Sequence, residues 1–241
     1  MNVGIALMLL STPISYYLVD DLDISATSYS AYATLVSLPW SLKFLFGMVT
    51  DGNPIFGYRR KSWLTIGWGV YIFISFVMCF FSKPSFTGVT LSMFLMTCAY
   101  LQADVSADAS AVERARFESE KRKGILQTAC YTVRSFGLLI GAVLGAILYN
   151  TSTWGWGLTV SELFLLSSAI PLVSMMIFIW PLDEIEVTKI VPTVREQLLS
   201  LWNTLQLWAV IRPVTFVFIY GSLQVPNQSW TNFLVVGNYE L

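Results

Sequence analysis

The sequence predicts an all-α membrane protein, and three observations carry that reading. Hydrophobic residues fill 55% of its 241 positions and charged ones only 12%, with a mean hydropathy of +0.63, well away from soluble composition. The apolar residues gather into runs near the ~20 residues that a helix needs to cross a bilayer. Lys and Arg, finally, concentrate in alternate connections between those runs. Six spans are predicted, then a polar stretch with one amphipathic helix, then a further and more polar span.

The first span covers about 2–19, includes Pro13, Tyr16 and Tyr17, and ends at Asp20, Asp21 and Asp23. It lacks the basic flank and cleavage site of a signal peptide, so it reads as a span. Its lead-in is almost absent, which fits a start further upstream. The second runs about 27–49 and carries Lys43 inside it. A turn-rich basic connection, DGNPIFGYRRK, leads to the third at about 62–81. Lys83 and Pro84 join it to the fourth at about 88–111. The charged segment from Glu113 to Lys123 precedes the fifth at about 125–149, and a neutral connector with the sequon Asn150-Thr151-Ser152 precedes the sixth at about 158–180.

Connections after spans two and four hold Arg59, Arg60, Lys61, Arg114, Arg116, Lys121, Arg122 and Lys123, whereas those after one, three and five hold only Lys83. Because Lys and Arg beside a span resist translocation, this places the amino terminus in the cytosol. After Trp180 the chain turns polar. From 192 to 211, Leu198, Leu201, Trp202, Leu205 and Trp208 recur at helical spacing, as in a helix lying on a membrane surface or in the groove beneath a bundle. A seventh span begins near Pro213 and contains Gln224, Pro226, Asn227, Gln228 and Asn232, which need protein or water around them. The organisation is thus a six-span unit over 1–181, a linker over 182–211, and a seventh span over 212–241.

The richest chemical signal lies in the fourth span, QADVSADASAVERAR. Asp104 and Asp108 are four apart and share a helix face. Asp104 lies roughly 13 Å in from Glu113 at ~1.5 Å per residue, and Arg134 roughly 15 Å in from Gly124. An ionised group at such depth must face protein or water, so the two are expected to approach each other, directly or through a substrate. A charge pair that merely orders the bundle is the alternative. Asp108 is either a rim residue or part of the site, and Lys43 either snorkels to the cytosol or contacts substrate. A coupling proton, if transport uses one, would sit first on Asp104, since desolvation raises a carboxylate pKa. Ala99, Ala103, Ala107 and Ala111, with Gly137, Gly141 and Gly145, form small-residue stripes suited to close helix packing.

Other chemistries find no support. There is no histidine, phosphate-cradling glycine loop, nucleophile–base set or metal spacing, so no enzyme, cofactor or metal site is predicted and nothing points to nucleic acid. Cys79, Cys98 and Cys130 lie within apolar runs and read as buried small hydrophobes.

Two blocks carry a family resemblance. Gly47, Asp51, Gly57, Arg59 and Arg60 resemble the signature loop between the second and third spans of the major facilitator superfamily. Within PWSLKFLFGMVTDGNPIFGYRRK, the insert Asn-Pro-Ile-Phe-Gly-Tyr-Arg-Arg is similar to the folate–biopterin transporter family, as is ADVSADASAVERAR. Members often have proline after the lysine matching Lys43, where this chain has Phe44. The resemblance implies the amino-terminal six-helix half of a major-facilitator bundle, plus the linker and the start of a second half, so the chain looks truncated. It also implies alternating-access transport of a folate or pterin across a plasma membrane or organelle envelope. Gly47, Asp51, Gly57, Arg59 and Arg60 would then act as a gating loop. Arg134 and Lys43 could meet the carboxylates of a folate, and Asp104 the pterin amine. Two other readings stay open: the same fold with another metabolite as cargo, and a membrane fragment that does not transport.

Overall fold

The computed structural model describes residues 1–119, 122–149, 156–182, 184 and 194–223, and among these it is helical, with one isolated bridge between Ile55 and Tyr58. The glycosylation sequon, the polar residues from Gln224 onward and most of the first part of the linker lie outside the described residues.

The first span is built in pieces: α1 (Asn2–Leu9), α2 (Ser11–Tyr16) and a π-turn, Tyr17–Asp21. The break at Leu10 follows from Pro13, whose missing N–H leaves the Leu9 carbonyl without its helical donor. The second span is also broken. Helix α3 (Ala26–Ser41) contains Pro39, and the chain bends by 41° at Leu42 before α4 (Lys43–Gly52). Spans three to five are single helices, α5 (Lys61–Met78), α6 (Phe86–Ala115) and α7 (Ile125–Leu148). Helix α8 (Val160–Ser174) starts with a Thr159–Glu162 capping box and continues as a π-turn, Met175–Ile179, to complete the sixth.

Five of these segments are long and apolar enough to cross a membrane as they stand, and the bent α3–α4 pair reaches that length together. The stretch read as a single amphipathic helix over 192–211 is instead broken at Gln206 and Leu207. It gives α9 (Val194–Leu205) and α10 (Trp208–Leu223), which meet at 81°. The α9 stripe of Leu198, Leu201, Trp202 and Leu205 is exposed, and no α10 residue is buried.

Small residues decide which spans touch. Gly4 of α1 abuts the Arg134 carbonyl, and a Cβ at Gly141 or Gly145 would stand 2.9 Å from Ile5 O or 2.7 Å from Leu9 O. Spans one and five are therefore in backbone contact. On the other side, a Cβ at Gly67 of α5 would lie 2.7 Å from the Ala99 carbonyl and 2.8 Å from the Ala103 nitrogen of α6. Helix α5 also binds α8, through Ser75 Oγ to the Phe164 carbonyl at 2.6 Å and Tyr71 OH to Ser167 Oγ at 2.5 Å. Helix α6 is the most enclosed, with Met96, Leu101 and Val89 in a core shared with Leu10, Ile14, Leu18, Tyr71 and Phe164.

The cysteines correct one expectation. Cys130 is exposed, and Cys79 and Cys98 are only half-buried. Apolar sequence neighbours do not bury a side chain when its helix face looks outward, as Cys130 does on α7.

Candidate functional site

Four charges from three spans meet between the helices. Asp104 and Asp108 come from α6, one turn apart on one face. Lys43 opens α4 just past the Leu42 bend, and its Nζ donates to Asp104 Oδ2 and Asp108 Oδ2, both at 2.8 Å. Arg134 of α7 donates through Nη2 to Asp104 Oδ1 and, at 3.2 Å, to Asp108 Oδ1. Each cation thus bridges both carboxylates. Two positive and two negative groups cancel, which is what permits so many charges away from bulk water.

Exposure grades the four. Asp104 is 1% exposed, Arg134 20%, Lys43 33% and Asp108 34%. Asp104 is the fixed interior corner, and the other three have a side open to an incoming polar group. Lys43 does not extend to the helix end; its amine turns into the cluster. Gln102, also on α6, donates to Thr50 Oγ1 at 2.5 Å, and Trp40 Nε1 donates to Tyr100 OH at 3.0 Å, so α3 and α4 are both pinned to α6 beside the charges. Thr50, Gln102, Trp40 and Tyr100 escaped the sequence reading because nothing in their local pattern marks a partner more than fifty residues away.

A second network closes the basic end of the bundle. Arg60 Nη1 lies 2.6 Å from Asp51 Oδ1, and its Nη2 and Nε reach Glu113 Oε1 at 2.7 and 3.2 Å. The partners hold the Arg60 guanidinium firmly charged, although its burial works the other way. Arg59 contributes its backbone N–H. That group, with the N–H of Arg60 and of Lys61, donates to the Glu184 carboxylate at 3.0, 2.9 and 2.6 Å. Glu184 thereby satisfies orphan donors at the start of α5, where the helix dipole favours an anion. In return Lys61 Nζ donates to the carbonyls of Trp180 and Leu182 at 3.0 and 2.8 Å, capping the end of the sixth span. Gly57, at φ 79°, makes the turn between Ile55 and Tyr58, and Gly47 faces Val105 of α6 with room for a methyl group. Sequence reasoning missed Glu113 and Glu184 as partners. Glu113 stood in plain view in the Val-Glu-Arg-Ala-Arg block, whereas Glu184 carries no local signal.

A multi-pass helical membrane protein with a compensated charge cluster between its spans is the class that this fold and site define. The chain belongs to the BT1 family, whose model matches residues 3–229. It is 28% identical over 217 residues to the folate-biopterin transporter of Synechocystis sp., an alignment covering 86% of this chain and 41% of that protein. It is similar to probable folate-biopterin transporter 4 of Arabidopsis thaliana, 28% identical across 68% of this chain and 33% of the relative. Folate transporter 1 of Plasmodium falciparum is 22% identical across 96% of this chain and 44% of its own length. The chain spans less than half the length of these curated relatives. No solved structure matches it.

Proposed function

We propose that this chain forms the amino-terminal half of a secondary-active transporter that moves folate- or pterin-type metabolites by alternating access. The observation that carries the reading is the Lys43–Asp104–Asp108–Arg134 cluster, a set of charges held between spans and satisfied by one another until a ligand competes for them. The names of the relatives supply the cargo class. A folate brings carboxylates for Arg134 and Lys43, and its pterin brings N–H donors for Asp104. Binding then exchanges internal pairs for ligand pairs, which keeps the cost of a buried charge low in either state. A coupling proton would be exchanged on the same carboxylates. Gly47, Asp51, Gly57, Arg59 and Arg60 serve as the gating loop, whose pairs re-form as two halves rock. The excess of Lys and Arg sets the basic end, and with it the amino terminus, in the cytosol. The membrane is a plasma membrane or an organelle envelope.

Uptake of labelled folate and biopterin into transport-deficient cells tests this, with the chain and its full reading frame expressed side by side. Asp104→Asn should cut uptake of both pterin-bearing substrates, and Arg134→Gln should cut the glutamyl forms selectively. Membrane insertion without uptake of either compound, in either form, would count against the cargo.

A further inference from the structure

Each cation of the cluster lies against an aromatic ring. Lys43 Nζ stands 5.5 Å from the centroid of Trp40, and Arg134 Cζ stands 5.4 Å from that of Tyr131. The two rings belong to different spans and are held differently. Trp40 precedes the Leu42 bend and Lys43 follows it, and the Trp40 Nε1 bond to Tyr100 fixes the indole. Tyr100 is itself buried, edge-on to Tyr71 and one helical turn before Asp104, so Trp40, Tyr100 and Asp104 form one continuous wall. Tyr131 sits one turn before Arg134 on α7 and is 49% exposed, so its ring offers a flat apolar surface next to the guanidinium.

A charge beside a flat ring, twice over, suits a ligand with two aromatic parts and an anionic end. A folate is such a molecule: a pterin, a benzoyl ring and a glutamate tail. Resting on the functional reading above, we propose that the two rings divide the substrate between them. Trp40 with Asp104 receives the pterin, whose amino group takes the place of the Lys43 ammonium on the otherwise enclosed carboxylate. Tyr131 with Arg134 receives the other end, with a tail carboxylate on the guanidinium and the benzoyl ring against the phenol. Biopterin has the pterin but no benzoyl-glutamate, so Tyr131 determines specificity for folate while Trp40 serves both substrates.

The test is initial-rate uptake of labelled folate and biopterin by the full-length protein, normalised to the amount in the membrane. Tyr131→Leu should raise KM for folate by about tenfold, the loss expected of one ring-stacking contact, and leave biopterin KM and both maximal rates unchanged. Tyr131→Phe, which keeps the ring, should match wild type. Trp40→Leu should raise KM for both substrates, with Trp40→Phe recovering most of the loss. An equal change for the two substrates in Tyr131→Leu, or none, overturns the division. Wild-type protein that takes up neither compound defeats the transport reading itself and this division with it, a failure visible before any variant is compared.

Discussion

Almost no water reaches Asp104, yet it accepts from Lys43 and from Arg134, so neither cation can be removed without leaving charge uncompensated. Truncating one member of a buried pair costs on the order of 3–5 kcal/mol, because the partner stays behind unpaired. Removing both at once avoids much of that cost. Asp104→Asn and Arg134→Gln should each lower the thermal midpoint of the protein in lipid nanodiscs. The double variant should lose less than the sum, with a coupling of about 1–3 kcal/mol. Strict additivity would show that the two groups touch without stabilising each other. That Asp104 and Arg134 lie at one depth could be counted from the sequence. The part taken by Lys43 could not, because a lysine near a helix end has two places to put its amine, and only the carboxylates on α6 decide between them.

Helix pairing rests on glycines whose positions leave no room for a methyl group. Gly141→Ala would set a Cβ 2.9 Å from Ile5 O and 3.0 Å from its Cα, backbone atoms that cannot swing aside. It should cost about 1–3 kcal/mol of stability, as overpacking does. Gly69→Ala on α5 meets nothing within 4 Å and should be neutral or gain up to roughly 1 kcal/mol of helix preference. Midpoints measured together for the two variants separate a steric role from a general dislike of alanine. Glu184→Ala tests the reciprocal cap: the freed N–H groups of Arg59, Arg60 and Lys61 should exchange hydrogen faster, at a stability cost of about 0.5–2 kcal/mol. Unchanged protection there would mean that water replaces the carboxylate without loss.

Across the described residues two tight sets of contacts stand out, joined by span one, whose Leu10, Ile14 and Leu18 share the core of α5, α6 and α8. Spans one and five are joined backbone to backbone, while two, three, four and six are bound together around α6 and through Arg60 and Glu184. The charge cluster is a second place where the sets meet, since Arg134 belongs to the first and Lys43, Asp104 and Asp108 to the other. A ligand that draws Arg134 away from the carboxylates would therefore remove the charged contact of α7 with α4 and α6, while the apolar contacts of span one stay in place. Sidedness is open to direct measurement. In a background lacking Cys79, Cys98 and Cys130, an impermeant thiol reagent applied from the non-cytosolic side should label Ser82→Cys and spare Ser119→Cys. Those positions stand at opposite ends of α6. The reverse pattern would invert the orientation read from the basic connections.

Read without a fold, the sequence already shows a helical membrane protein, the places of its long apolar helices, and Asp104 and Arg134 at one level. Apolar length and helical rise are local properties, and a bilayer reads them directly. Most of what touches those charges lay beyond it. That Lys43 turns inward, that Trp40 and Tyr131 flank the cations, that Glu113 and Glu184 tie the basic end, and that Cys130 faces outward follow from how the spans are rotated against one another. That rotation is set by close approaches such as Gly67 on Ala99 and Gly141 on Ile5, between residues far apart in the chain. Only the packed tertiary structure fixes it, because each helix alone offers every face equally.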